Sequence, residues 1–208
     1  EEEIVRQSGA ANRVPAAVEG TPEYDKLEKS IGKLSEKQTE AIVESNKKLL
    51  DSLNFANMIS GRQLDFIMKS DKFTDDEKKR LATSRFASIK DVNLSSDDGY
   101  KAAQKKVEEN TADDNDRALL KATEDKIAKA KAKIKALTDS EIEMLDTDSM
   151  PQNEYNNFVQ ELRSAQFESI NKSNKFTSGQ KKKFKSARLD PLTTTLDDDK
   201  RGVDENGD

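Results

Sequence analysis

The sequence contains no cysteine, no histidine and no tryptophan among its 208 residues. Without cysteine the chain has no disulfides, thiolate nucleophiles, zinc fingers or iron–sulfur ligands. Without histidine the usual general base, the Ser-His-Asp triad and histidine-based metal sites are excluded. Carboxylates, Lys, Tyr, Ser and Thr are left for catalysis, and the eight glycines form neither GxxxxGK[ST] nor GxGxxG. The sequence therefore predicts no enzyme and no cofactor.

Large apolar residues are scarce, because Leu, Ile, Val and Phe make up only about one residue in five. This fraction lies at the border between folded and disordered chains. Charged residues reach 37 %, but 36 Lys and Arg nearly balance 41 Asp and Glu, leaving a net charge of −5. A balanced chain need not be disordered. We expect small units that depend on neighbouring proteins for stability, rather than one large core.

No stretch of 18 consecutive apolar residues occurs, so no segment is predicted to span a membrane. The first residues, 1–6, lack an initiator Met and the basic and apolar regions of a signal peptide. We therefore expect a processed chain or part of a longer one. Its expected location is the cytoplasm or the interior of a virion or another macromolecular particle.

The chain resembles itself at an offset of 103 residues. Residues 54–86 align without a gap to residues 157–189, and 12 of these 33 positions are identical. Upstream residues continue in the same register, pairing Ile31 with Ile134, Leu34 with Leu137 and Ser35 with Thr138. This pattern predicts a tandem duplication of a multi-helix unit.

Helix signals agree between the two copies. Four capping boxes, each a Ser or Thr followed three residues later by Glu or Gln, predict helix starts. They begin at Ser35, Thr74, Thr138 and Thr177. Thr21, directly before a proline, predicts a fifth start. Because no stretch has the alternation of a strand, the predicted fold class is all-α with flexible polar termini.

These signals divide the chain into five segments. They are an extended N-terminal tail (1–21), helical repeat 1 (22–94), a bridging helix or linker (95–112), helical repeat 2 (113–192) and an acidic C-terminal tail (193–208). Helices are predicted over 22–33, 36–70, 75–88, 98–109, 113–136, 139–172 and 178–189, with a break near 149–151. The apolar residues expected in the two cores are Leu34, Ile42, Phe55, Ile67, Phe73 and Leu81, and Leu137, Leu145, Phe158, Ile170, Phe176 and Phe184.

Basic residues recur at matching positions of the two copies and form the candidate partner-binding or anion-binding site. In the first copy they are Lys69, Lys72, Lys78, Lys79, Arg80 and Arg85. In the second copy they are Lys172, Lys175, Lys181, Lys182, Lys183, Lys185 and Arg188, with no acidic residue between them. Such a patch fits nucleic-acid phosphates or an acidic protein surface. A solvated helix face with lysines near its C-terminus has the same composition.

The aromatic residues near these lysines do not indicate base stacking. Phe73 and Phe176 each precede a capping Thr, which is the position of a hydrophobic staple. We therefore expect them, and Phe184, to be buried, and we predict no sequence-specific reading of nucleic acid.

The acidic C-terminal residues partly resemble a calcium loop. Counted from Asp197, Asp199 and Gly202 fit an EF-hand, but Arg201 stands at a ligand position and Asp208 replaces the bidentate Glu. We interpret residues 193–208 as an acidic tail and predict no metal site.

In composition, a Lys- and Asp-rich chain without Cys, His or Trp is similar to accessory structural proteins of large assemblies such as tailed-phage virions. This similarity implies protein partners within an assembly. The sequence thus predicts a non-enzymatic helical structural or adaptor protein that binds neither a membrane nor a small-molecule substrate. The alternative is a polyanion- or nucleic-acid-associated protein that uses the basic helices of residues 69–86 and 172–189.

Overall fold

The structure, a computed structural model, describes residues 9–189 of the chain. Helices make up 80 % of the described residues, and no strand occurs among them. The predicted all-α fold class is confirmed. Within the described range no helix is both long enough and apolar enough to cross a membrane.

The chain divides between Ser88 and Ile89 into two compact units, which we call unit 1 and unit 2. In unit 1, residues 9–13 are helical and continue into a 3-10 turn, Val14–Ala16. The α-helices that follow are α1 (Pro22–Gly32), α2 (Glu36–Ser45), α3 (Leu53–Met58), α4 (Gly61–Lys69) and α5 (Asp75–Phe86), with a 3-10 helix over Lys47–Asp51.

Unit 2 begins within the 3-10 segment Ala87–Ser96. Its α-helices are α6 (Asp98–Glu108), α7 (Asp114–Ala136), α8 (Asp139–Met144), α9 (Gln152–Glu161), α10 (Ser164–Lys172) and α11 (Ser178–Leu189), with a 3-10 turn at Thr147–Ser149. The helix predicted over 98–109 corresponds to α6, which packs along α7.

The long helices predicted over residues 36–70 and 139–172 are each divided into more, shorter helices than the sequence predicts. Ser52 and Ser60 start new helices, because their hydroxyl oxygens accept hydrogen bonds from the backbone N–H groups of Phe55 (3.2 Å) and Gln63 (3.3 Å). Serine favours helix starts over helix interiors for this reason. In unit 2 the break predicted near 149–151 is present, and another lies earlier, where α8 ends at Met144.

All four predicted capping boxes are confirmed. The side-chain oxygens of Ser35, Thr74, Thr138 and Thr177 accept from the N–H three residues later, and the Glu or Gln there accepts from the N–H of the capping residue. Thr21 caps α1 as predicted. Each cap stabilises its helix by about 1 kcal/mol and fixes where the helix begins.

Eleven of the twelve apolar residues expected in the two cores are buried, and Leu145 is the exception. Leu145 is only half-buried because α8 is six residues long and ends before it. Its counterpart Ile42 lies within α2, which is ten residues long, and is 2 % exposed. The two expected staples, Phe73 and Phe176, are both buried.

A buried glutamine holds the end of the first helix of unit 1. The side-chain amide of Gln63 on α4 donates hydrogen bonds to the carbonyls of Ile31 (3.0 Å) and Leu34 (2.9 Å), where α1 ends. The same amide donates to the Thr39 hydroxyl at 2.9 Å. Carbonyls at a helix C-terminus lack partners within the helix, and Gln63 supplies donors to them.

Unit 2 contains the same arrangement. The amide of Gln166 on α10 donates to the carbonyls of Ile134 (2.9 Å) and Leu137 (2.8 Å), where α7 ends. Both Gln63 and Gln166 are 2 % exposed. Ile142 stands at the position of Thr39, 103 residues later, so the bond to a hydroxyl is replaced by apolar packing.

An arginine ties the last helix of each unit to the end of an earlier one. Arg85 of α5 donates through Nη1 to three carbonyls at the end of α3, with the shortest bonds, 2.8 Å, to Ala56 and Ile59. Arg188 of α11 donates likewise to three carbonyls at the end of α9, with the shortest, 2.7 Å, to Leu162. These two arginines of the predicted basic site therefore stabilise the packing of helices within their own units.

Residues 9–17, predicted to belong to an extended tail, pack on unit 1. Val14 and Ala11 are buried. Asn54 on α3 holds this segment, because its side-chain amide donates to the carbonyls of Val14 (3.1 Å) and Ala17 (2.7 Å). The small apolar residues of the segment thus extend the core of unit 1.

Replacing Gln63 by Met, an apolar side chain of similar length, should lower the free energy of unfolding by about 1–3 kcal/mol, because buried carbonyls lose a donor. Urea unfolding followed by circular dichroism measures this change. The control is Gln104→Met at an exposed position of α6, which should change stability by less than about 0.5 kcal/mol. Equal effects of the two substitutions would contradict the role of Gln63.

Replacing Tyr155 by Phe should raise the free energy of unfolding by about 1 kcal/mol, because a buried hydroxyl without a partner is destabilising. The Tyr155 hydroxyl has no hydrogen-bond partner among the described residues, and burial raises its pKa. The ring, 5.4 Å from that of Phe184 between centroids, keeps its packing in the variant. A loss of stability in the same urea titration would show that the hydroxyl is hydrogen-bonded.

Candidate functional site

The thirteen basic residues of the candidate site occupy the same elements in both units. In unit 1 they lie at the end of α4, in the following turn and along α5. In unit 2 they lie at the end of α10, in the following turn and along α11. Because the elements match, any difference between the two sets comes from the side chains that surround them.

In unit 1 carboxylates neutralise several of these residues. The Lys72 ammonium lies 3.2 Å from the Glu40 carboxylate and 3.0 Å from that of Glu44, both on α2. Arg80 binds Asp51 with two donors, Nε at 2.8 Å and Nη2. Such a forked pairing is stronger and more directional than a single contact.

The same contacts lower the pKa values of the carboxyl groups. A hydrogen bond from Ser70, assisted by Lys72, holds the pKa of Glu40 below its usual value. Hydrogen bonds from Arg80 hold the pKa of Asp51 below its usual value. Both carboxylates are therefore charged at neutral pH and compensate the cations beside them.

In unit 2 the matching acidic residues are only partly present. Glu143 and Glu154 stand where unit 1 has Glu40 and Asp51, but neither forms an ion pair with a described lysine of α11 or of the turn before it. Thr147 stands where unit 1 has Glu44. The first turn of α11, residues 178–180, holds Ser, Gly and Gln where the first turn of α5, residues 75–77, holds Asp, Asp and Glu. The last helix of unit 2 is therefore much more positive than that of unit 1.

The charge counts show the size of this difference. Residues 69–86 carry six basic and four acidic side chains, whereas residues 172–189 carry seven basic and no acidic side chains. The net charge over these matched stretches is thus +2 in unit 1 and +7 in unit 2. A concentrated charge of one sign attracts polyanions.

Four lysines of the second stretch form no ion pair with any described residue, and we call them the unit-2 basic surface: Lys175, Lys181, Lys182 and Lys185. The other cations of this stretch are engaged. Lys172 lies 3.8 Å from Glu168, the Lys183 ammonium lies 4.2 Å from the centre of the Tyr155 ring, and Arg188 donates to backbone carbonyls. The free lysines lie on α11 and in the turn before it.

Unit 2 also has a groove of about 360 Å³ between α7 and α9, which the sequence patterns do not indicate. Glu161 at this groove contacts Lys131 at 2.8 Å and Lys135 at 3.3 Å. Burial alone would raise the pKa of Glu161, but the two lysines lower it. This ion-pair cluster joins α9 to α7 and forms only in the folded unit, so helix signals alone do not reveal it.

The acidic C-terminal residues, including the calcium-like residues from Asp197 onward, lie outside the described range. Between residues 9 and 189 no group of three or more acidic side chains is placed to hold a metal ion.

No family model, curated protein sequence or solved structure matches this chain.

Acid should destabilise unit 1 through Glu40. Because folding lowers the pKa of this carboxyl below 4.5, its stabilising effect is complete above that value and is lost as the pH falls through the lower folded pKa. Glu40→Gln should weaken the protein at neutral pH and reduce the loss of stability that occurs as the pH falls below the ordinary range of a Glu carboxyl.

Urea unfolding at a series of pH values measures this profile. Glu108→Gln, at an exposed position of α6, serves as the control and should keep the original profile. A Glu40→Gln variant with the same pH profile as the original chain would contradict the assigned role of Glu40.

Proposed function

We propose that this protein is a non-enzymatic helical structural or adaptor protein and a component of a larger protein assembly. One observation carries the proposal. The same glutamine and arginine tethers, 103 residues apart, hold two units whose basic surfaces differ in charge. A scaffold that is repeated while its surface varies gives one chain two different contact surfaces.

The two units, in this proposal, arose by tandem duplication of a multi-helix unit. The glutamine tethers and the arginine tethers are each separated by 103 residues. A third pair supports the same origin, because the Ser70 hydroxyl donates to Glu40 and the Ser173 hydroxyl donates to Glu143. The amides of Gln63 and Gln166 are buried, and buried polar groups need partners in specific places. Their equal spacing is therefore stronger support for a common origin than matching apolar residues.

The composition supports a role that depends on partners. About one residue in five is Leu, Ile, Val or Phe, and each unit has about half of the chain with which to build its core. Small cores leave little surplus over the conformational entropy lost on folding. A partner that binds only the folded chain stabilises it further, as expected for a protein that works inside an assembly such as a virion.

A second candidate function is polyanion binding, and the charge of +7 over residues 172–189 favours it. In unit 1 carboxylates of α2 and of the 3-10 helix Lys47–Asp51 compensate Lys72 and Arg80, and α5 itself carries three acidic residues in its first turn. We therefore assign polyanion binding to the basic helix of unit 2 alone, rather than to the basic helices of both units.

The adaptor proposal is tested by isolating the tagged full chain from its natural source at native concentration. We expect it to elute in particles much larger than its own 23.3 kDa. A lysine-reactive cross-linker should join partner proteins to both units, at positions such as Lys79 on α5 and Lys182 on α11. If the chain has two contact surfaces, partner proteins should be cross-linked to unit 1 and to unit 2.

Matched variants assign the cross-links. Lys79→Arg and Lys182→Arg keep the charge but remove the reactive amine, so each should lose the partner cross-link through its own position and keep those of the other unit. Elution as a 23.3 kDa monomer, with cross-links only within the chain, would refute the adaptor function.

A further inference from the structure

We infer that the unit-2 basic surface binds the phosphates of nucleic acid without reading the base sequence, and that unit 1 does not share this activity. The inference deepens the second candidate function and is independent of the adaptor role. The inference rests on two observations: which basic side chains already form ion pairs within the chain, and which residues surround the lysines that do not.

The first argument is competition from the chain's own carboxylates. In unit 1, Lys72 and Arg80 already contact Glu40, Glu44 and Asp51. A phosphate would have to displace these carboxylates, which reduces the net gain from binding. Lys78 and Lys79 directly follow three acidic residues of α5, Asp75, Asp76 and Glu77. The free lysines of unit 2 form no ion pair with a described residue, and α11 carries no acidic side chain.

The second argument is accessibility. Lys175, Lys182 and Lys185 are exposed and Lys181 is half-buried. Lys181 and Lys185 are four residues apart on α11 and so lie on one face of the helix. A row of lysine ammonium groups on one helix can follow a phosphate backbone, since phosphate contacts require charge and not a particular base.

The third argument separates nucleic acid from an acidic protein. Stable protein interfaces have apolar or aromatic centres and are depleted in Lys. The aromatic residues next to the free lysines, Phe176 and Phe184, are 8 % and 0 % exposed and pack against each other at 5.5 Å between centroids. They are not available as anchors for a protein or as platforms for base stacking.

A labelled DNA duplex of about 20 base pairs, titrated by fluorescence anisotropy from about 50 to 200 mM salt, tests the inference. The full chain is used, together with two double variants at positions 103 residues apart. Lys181→Gln with Lys182→Gln alters the unit-2 basic surface, and Lys78→Gln with Lys79→Gln alters the matching positions of α5. Both variants change the net charge by the same amount, and circular dichroism checks that both retain their helix content.

The original chain should bind with an affinity that falls with salt, because each phosphate contact releases counterions. The unit-2 variant should bind more weakly, with a slope of log affinity against log salt that is smaller by about 1.8, or about 0.9 for each lost contact. The unit-1 variant should keep the original slope and affinity.

Three results would overturn the inference. The first is no DNA binding at about 50 mM salt, where electrostatic attraction is strong, and the second is an equal loss of DNA affinity in the two variants. The third is binding of polyglutamate that is tighter than binding of DNA and is lost in the unit-2 variant, which would assign the surface to an acidic protein. None of these results affects the adaptor proposal, because its test measures particle size and cross-links to partner proteins.

Discussion

Side chains from distant helices complete the hydrogen bonding of helix C-termini in this protein, and each unit depends on that constraint. Many helices end with a glycine in the left-handed conformation, which satisfies the last carbonyls locally. Among residues 9–189 only Gly20 and Asn110 have positive φ angles. Gln63 and Arg85 instead donate to the ends of α1 and α3 from helices about 30 residues further along. The ends of α1 and α3 are therefore completed by tertiary contacts rather than by local ones.

This constraint accounts for what the two units have in common and for where they differ. A buried amide that donates to two carbonyls cannot be replaced without leaving polar groups unsatisfied, so Gln63 and Gln166 retain their identity. Exposed positions have no such requirement, and substitutions there usually change stability little. Surface charge is therefore free to differ, as it does between α5 and α11. The interior polar contacts of the two units are therefore alike, whereas their surface charges differ.

Charge neutralisation is the physical difference that separates the two surfaces. An exposed ion pair contributes little to stability, so Lys72 with Glu44 in unit 1 mainly removes local charge and does little to strengthen the fold. Without that partner, Lys175 leaves its charge available to solvent and ligands. Acidic residues at a few positions thus bring the net charge of residues 69–86 close to zero, whereas residues 172–189, which lack them, are strongly positive.

The sequence by itself determined the features that depend on near neighbours along the chain. Helix starts at Thr74 and Thr177, the all-α class and most core positions follow from signals a few residues apart, because capping and amphipathic packing are local. Only the tertiary structure decided which basic residues are free. Lys72 and Glu44 are 28 residues apart in sequence, and Arg85 reaches its carbonyls across a similar distance. Residue type alone does not distinguish a neutralised lysine from an available one, because the neutralising partner is brought close by folding.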